Sequence, residues 1–159
     1  MRTFLPVILF CIFWFSGCAS SSHSRSGGFK PSQNDRVSVT SAGLQTVNLD
    51  GNYYVRWTFS IQPKQPIEFR SIRVEDVSGP QPVLVINDVA PQLQDGKWTG
   101  SGGMIELTAT GLPWLFDEQE SVRVFQFTIT ELDGRAYVLQ QSVPYSKGAK
   151  AAVRKLVGR

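Results

Sequence analysis

The most regular alternation of apolar and polar residues runs from residue 53 to residue 61. Large apolar side chains stand at every second position, with mostly polar ones between them: Tyr53, Val55, Trp57, Phe59 and Ile61. A period of two predicts a β-strand with one buried and one solvent-facing side. Because Asp50-Gly51-Asn52 before it is a turn signal, we predict that residues 45–49 pair with this strand as a hairpin.

Two further apolar stretches predict strands. Residues 67–77 change the parity of their apolar positions between Phe69 and Ile72, which predicts a β-bulge near residues 70–71. Residues 83–86 read Val-Leu-Val-Ile and are apolar on both faces. Such a run is typical of a strand covered on both sides, so we expect a central strand there.

A glycine-rich run, Gly100-Ser101-Gly102-Gly103, lies between predicted strands at 97–99 and 104–110. Phosphate-binding loops are also rich in glycine, but they lead into a helix that carries Lys and Ser or Thr. The residues that follow here, Met104-Ile105-Glu106-Leu107, indicate a strand. We therefore predict a hairpin turn at this run.

The last two apolar stretches predict a hairpin whose loop length follows from its apolar faces. A two-residue Asp133-Gly134 turn would set apolar residues opposite polar ones. A three-residue loop, Leu132-Asp133-Gly134, matches the faces and places Gly134 in the left-handed position of a bulge. This register predicts the pairs Phe127–Leu139, Ile129–Tyr137 and, as an exposed ion pair, Glu131–Arg135.

About seven short strands in residues 34–145, with turns between them and no long helical period, predict an all-β domain. We expect an immunoglobulin-like β-sandwich, in size and architecture only, because the cysteine pair of antibody domains is missing. A small barrel is the alternative. Residues 18–33 are rich in Ser and Gly and predict a flexible tether before the domain.

The first residues have the pattern of a secretory signal peptide. Met1-Arg2-Thr3 is a short positive start, and the twelve residues 4–15 are apolar apart from Pro6. Because a membrane-spanning helix needs about 20 apolar residues, this segment is too short to be one. Its length fits the apolar region of a signal peptide.

Phe15-Ser16-Gly17-Cys18 resembles the lipobox of bacterial lipoproteins, in which the cysteine is diacylated and becomes the new N-terminus after cleavage. Ser16, Gly17 and Cys18 match that motif, whereas Phe15 stands where Leu is usual. The resemblance implies a lipoprotein signal peptide at residues 1–17 and a membrane anchor on Cys18. Ala19 follows instead of Asp, which by the same resemblance favours the outer membrane, facing the periplasm. An ordinary signal peptide cut near Ala19 is the alternative.

Positive charge is concentrated at the end of the chain. The formal net charge is +3, but residues 18–145 carry 10 basic and 13 acidic side chains. A nucleic-acid-binding domain is therefore not expected. Residues 146–159 form a basic tail with no acid and five cations: Lys147, Lys150, Arg154, Lys155 and Arg159.

The basic tail also has helical spacing. Its apolar residues fall on one stripe of a helix: Ala149, Ala152, Val153, Leu156 and Val157. Either the tail is a solvated end, or it is a basic amphipathic helix that binds anionic lipid or an acidic polymer of the envelope.

Catalytic constellations are missing from the sequence. Cys11, Cys18 and His23 are its only cysteines and histidine, and all precede the predicted domain. Nucleophile–base pairs and zinc sites built on these residue types therefore have no members there. The acidic residues at 117–120 do not have the spacing of a calcium loop, so we expect a solvated loop. We expect no enzyme, no metal and no cofactor.

Residues 112–116, Leu-Pro-Trp-Leu-Phe, are unusually apolar for a connection. They either plug one end of the sandwich as a helical turn or form an exposed apolar patch for a partner. The candidate partner-binding residues are Trp98, Trp114, Leu115 and Phe116. We expect a non-enzymatic interaction or assembly module with an envelope protein partner. The alternative is a ligand-binding module whose aromatic faces take a sugar or a peptide.

Overall fold

The computed structural model describes residues 30–158. The expectations for residues 1–29, including Cys18, and for Arg159 lie outside the described residues. The strands and helices, in chain order, are β1 (Val37–Leu49), β2 (Asn52–Pro63), β3 (Phe69–Asp76), β4 (Val83–Asp88), β5 (Trp98–Ser101), β6 (Ile105–Glu106), α1 (Pro113–Phe116), β7 (Ser121–Glu131), β8 (Ala136–Tyr145) and α2 (Lys147–Lys155).

The strands form two antiparallel four-stranded sheets, which confirms the predicted all-β sandwich. The first sheet has the order β1-β2-β5, with β6 also paired to β2, and the second has the order β4-β3-β7-β8. The chain changes sheet after β2, after β4 and after β6. Immunoglobulin-like sandwiches divide their strands in the same way, and β4 joins the second sheet beside β3, as an additional strand does in variable-type domains.

The core is centred on aromatic residues of β2 and β7, the strands that face each other across the sandwich. The ring of Trp57 meets that of Phe125 edge-on at 4.4 Å between centroids. Phe59 contacts Phe125 at 4.9 Å and Phe127 at 5.3 Å, also edge-to-face. Edge-to-face pairs place the positive rim of one ring on the negative face of the other. The predicted alternation in residues 53–61 therefore identified the buried face correctly.

Both predicted hairpins are present, and the last one has the predicted register. Leu49 pairs with Asn52 across a turn in which Asp50 has a φ of 51° and Gly51 a φ of 85°. In the last hairpin Gly134 has a φ of 87°, and its N–H donates to the carbonyl of Glu131. The cross-strand pairs there are Phe127–Leu139 and Ile129–Tyr137. The bulge predicted near residues 70–71 also occurs, since the pairing of β3 with β7 shifts between Phe69 and Ser71.

The prediction of a central strand at residues 83–86 is wrong. β4 is the edge strand of the second sheet, and Val83 is 62% exposed. The apolar run reflects a bulge instead. The register of β3 with β4 shifts between Val74 and Glu75, so Val85 has no cross-strand partner. Val85 and Ile86 both pack towards the core, whereas Leu84 stays exposed.

The prediction of a hairpin turn at residues 100–103 is also wrong. The chain continues in one direction along β2, so that β5 and β6 pair with successive parts of the same strand. The glycines serve close packing instead. A Cβ on Gly100 would overlap the ring of Trp98, and one on Gly102 would lie 2.8 Å from Cγ1 of Val85.

The predicted exposed ion pair between Glu131 and Arg135 does not form. Glu131 is buried and accepts two hydrogen bonds from the guanidinium of Arg36, one of them at 2.6 Å from Nε. This hydrogen bonding raises the pKa of Arg36. Burial, and then the negative charge of Glu131, raise the pKa of Tyr137 to about 12. Arg135 lies 3.7 Å from Asp133. Arg36, which directly precedes β1 of the first sheet, extends its guanidinium across the sandwich and takes the place predicted for Arg135.

The domain begins earlier than residue 34. The backbone N–H of Ser32 donates to Oε1 of Gln141 at 2.7 Å, and Nε2 of Gln141 donates to the carbonyl of Lys30. Gln33 forms an isolated bridge with Ser38. Residues 30–33, predicted to belong to the tether, are therefore attached to the sandwich.

We predict that Trp57→Ala lowers the free energy of unfolding by about 3–5 kcal/mol, because it empties the centre of the aromatic core. Chemical denaturation measures this loss. Thr58→Ala, on the outward side of the same strand, is the matched control and should change stability by less than about 1 kcal/mol. Similar losses for the two variants would contradict the assignment of the buried face.

We predict that Gly134→Val costs about 1–2 kcal/mol of stability, because its backbone is in the left-handed region, where a Cβ is unfavourable. The space around this glycine is open, so backbone strain is the only cost. Gly134→Asn should cost less, since Asn tolerates this conformation. Equal thermal stability of the Val and Asn variants would exclude strain as the cause.

Candidate binding surface at the Trp114 end

One end of the sandwich is closed by the connection between β6 and β7. Pro113 begins α1, where its missing N–H is harmless and its fixed φ favours the helix. The side chains of Leu112 and Leu115 point into the core, and Leu115 is fully buried. Residues 112–116 therefore plug the end of the sandwich as a helical turn, the first of the two predicted alternatives.

Trp114 lies on the aromatic core and carries cations on its ring. It stacks on Trp57 with 6.0 Å between centroids and contacts Tyr145 at 5.1 Å. The guanidinium of Arg123 lies 5.2 Å from the ring centroid, and Nζ of Lys150 lies 6.0 Å from it. Cations at these distances are attracted by the negative face of an indole. The ring of Trp114 is thus held from several sides.

Arg123 is itself held by an acid from the second sheet. Its guanidinium donates two hydrogen bonds to Oδ2 of Asp76, one of them at 3.0 Å from Nε. Asp76 also accepts from the hydroxyl of Ser78 at 2.6 Å. Burial raises the pKa of Tyr145 beside this pair, so the phenol stays neutral throughout the physiological range.

Helix α2 is docked against this end by a buried lysine. Ser146 caps the helix by accepting a hydrogen bond from the backbone N–H of Ala149 at 3.2 Å. The side chain of Lys150 has no exposed surface, and its Nζ donates to Oδ1 of Asp117 and to the carbonyl of Gln119, both at 2.6 Å. A buried ammonium is tolerated only with such partners.

A second cation of α2 binds the same connection. Nη1 of Arg154 lies 3.2 Å from the carbonyl oxygen of Phe116 and 3.3 Å from that of Asp117. The hydrogen bond from Lys150 lowers the pKa of Asp117, against a smaller opposing effect of desolvation. The contribution of this pair to docking is complete above the ordinary carboxyl pKa of 3.8 and is lost as the pH falls through the lowered value.

The four candidate partner-binding residues do not form an exposed patch. Trp98 is 1% exposed, and its indole N–H donates to Oδ2 of Asp88 at 2.8 Å, which joins the edges of the two sheets. Leu115 is fully buried, and Trp114 and Phe116 are half-buried against the core. The hypothesis of an exposed patch is corrected accordingly: Trp114, Leu115 and Phe116 close one end of the sandwich, and Trp98 is buried between the edges of the two sheets.

The basic tail is neither a solvated end nor a free cationic face. Lys150 and Arg154 are used inside the molecule, whereas Lys147 and Lys155 are exposed. The face that packs on the domain contains Lys150, Val153 and Val157, so the predicted stripe is rotated, and Ala152 lies in solvent. Only two of the four described cations of the tail, Lys147 and Lys155, are exposed and available for the predicted binding of an anionic surface.

Sequence reasoning missed the polar partners at this end. Asp76, Arg123 and Tyr145 lie on three different strands, and nothing in their spacing along the chain brings them together. One signal was available for Lys150. It lies within the apolar spacing of the helix, three residues before Val153 and seven before Val157, so it shares their face.

Residues 30–158 contain no group of three side chains suited to hold a metal ion. Two clefts in this part of the chain are open to solvent. One, of about 600 Å³, is lined by residues such as Pro63, Ile67 and Leu93. The other, of about 330 Å³, lies where Val157 of the tail meets Tyr53 and Leu107. Neither brings together charged groups that suggest a particular ligand.

Comparison with protein-family models, with curated proteins and with solved structures gave no match for this chain. Within residues 30–158, no helix has the length and apolar character needed to cross a membrane.

We predict that Lys150→Ala detaches α2 and lowers stability by about 1–3 kcal/mol, because the carbonyl of Gln119 loses its donor and Trp114 loses its cover. Hydrogen exchange of the amides in residues 147–155 should become faster. Lys147→Ala, on the exposed side of the helix, is the control and should leave exchange unchanged. Protection of α2 that survives in the Lys150 variant would refute this role.

Proposed function

We propose that this chain is a lipoprotein of the bacterial envelope, anchored by lipid on Cys18 and exposed to the periplasm from the outer membrane. The observation that carries the proposal is Ser16-Gly17-Cys18 directly after a short apolar segment with a positive start. One acyl chain binds a membrane only marginally, whereas two or more anchor a protein stably.

We propose further that the anchored domain is a non-enzymatic module for interaction or assembly with a protein of the envelope. All cysteines and the histidine precede the described residues, and near Trp114 Asp76 is paired with Arg123 and Asp117 with Lys150. A reacting group needs a free partner that can exchange protons with a substrate. These pairs instead hold α1 and α2 in place, which supports a role based on a rigid surface.

The alternative of a sugar- or peptide-binding module receives less support. Aromatic platforms for such ligands need an exposed ring face. The ring of Trp98 is buried, and the ring of Trp114 is covered by Trp57 and by the side chain of Arg123.

We predict that Cys18→Ser abolishes incorporation of labelled fatty acid and releases the protein from the membrane fraction. Cys11→Ser is the matched control, because this cysteine lies within the apolar segment and should not be acylated in the mature chain. Metabolic labelling followed by membrane fractionation of both variants measures the two effects. Fatty acid on the Cys18 variant at the wild-type level would disprove lipidation at this residue.

A further inference from the structure

Within residues 30–158, the edge of the second sheet at β8 is regular, and no strand pairs with its outer side. The register of β7 with β8 is constant along the whole ladder, without a bulge. Hydrogen-bonded pairs alternate with non-bonded pairs in an antiparallel ladder. Because the N–H of Glu131 donates to the carbonyl of Arg135, the odd-numbered residues of β8 bond to β7. The backbone groups of Ala136, Val138 and Gln140 therefore point away from β7, and among the described residues only β7 pairs with β8.

Between Ala136 and Gln140 this edge lacks the features by which natural sheets avoid pairing at their edges; Pro144 and the side chain of Gln141, which donates to the carbonyl of Ser142, protect only its far end. Charged side chains, bulges and covering segments are the usual protection. β4 has a bulge at Val85, β1 has one at Thr40 and is partly covered by Ser32, and the β5–β6 edge is interrupted at residues 102–104. The outward side chains of β8 carry no charge: Ala136, Val138, Gln140, Ser142 and Pro144.

The exposed apolar residues around β8 suit a two-fold partner. Val138 is 54% exposed at the middle of the free backbone groups, and Leu132 is 59% exposed in the loop before the strand. A two-fold axis at Val138 sets this residue opposite its own copy and sets Ala136 opposite Gln140 of that copy. Pro144, which has no N–H to donate, lies beyond the residues that this register pairs. Residues of like charge do not meet in this register.

We propose that two copies of this chain pair through β8, antiparallel and centred on Val138, to form one continuous eight-stranded sheet. An isologous contact of this kind requires a self-complementary surface, and a neutral strand with an exposed β-branched residue at its centre provides one. Lys30 and Ser32 approach β8 only through the side chain of Gln141, so they leave residues 136–140 open. The pairing does not depend on the lipid anchor or on any envelope partner.

Cysteine crosslinking of the full-length chain tests the geometry. In a hydrogen-bonded antiparallel pair the Cα atoms are about 5.5 Å apart, within disulfide range. Val138→Cys should therefore give a disulfide-linked dimer in cells under mild oxidation. Thr128→Cys, directly opposite on β7 and on the same outer face, is the matched control and should not crosslink. Crosslinking of the Thr128 variant, or of Val138 to another protein instead of to its own copy, would overturn the proposal.

Charge substitution tests the energetics. In sedimentation of the purified full-length chain in density-matched detergent, wild type should be a dimer. Val138→Lys and Val138→Glu, each alone, should raise the dimer dissociation constant at least about tenfold, because like charges meet at the axis. Mixing the two variants should restore a heterodimer, which excludes misfolding as the cause. A monomeric wild type, or a dimer that neither substitution weakens, would overturn the proposal.

Discussion

The contact of β2 with β7 is the interaction on which the other features of this domain depend. The rings of Trp57 and Phe59 fit edge-on against Phe125 and Phe127, and this fit sets the distance between the two sheets. The strands that pair with β2 or β7 are positioned by their hydrogen bonds to these two strands, and so by the contact between them. Trp114 of α1 stacks on Trp57 and so extends the aromatic core. Without α1, this end of the core would face solvent.

Polar groups are arranged around the aromatic core so that each buried charge has a partner. Arg36 and Glu131 join the sheets at one end, and Asp76 and Arg123 lie beside Tyr145 at the other. Removing one member of such a pair leaves the other without compensation, and that loss exceeds the net gain from the intact pair. We therefore expect these pairs to contribute more to fixing the arrangement of the sandwich ends than to net stability.

Local rules predicted the parts of the fold that depend on neighbouring residues. Alternation identified the buried face of β2, and matching of apolar faces gave the loop at Gly134 and its register. The errors arose where a distant residue decides the outcome. Val85 turns inward because of a bulge against β3, and Gly102 is small because Val85 packs on it. Lys150 is a cation on an apolar helix face, and only the folded chain brings Asp117 to it. The ion pairs near Trp114 also join residues that are far apart in the sequence, so local rules could not predict them.

The order of pairing along the chain has a consequence for how this domain folds. The β1–β2 and β7–β8 hairpins close over a few residues, but β3 pairs with β7, so that Ile72 must find Ile129 across almost half of the described chain. Closing so long a loop costs chain entropy before any contact repays it, and folding rates fall as contacts become less local. We expect the hairpins to form early and the second sheet to assemble slowly. Until α2 docks, the half-closed sandwich presents Trp114 to any chaperone that recognises aromatic segments.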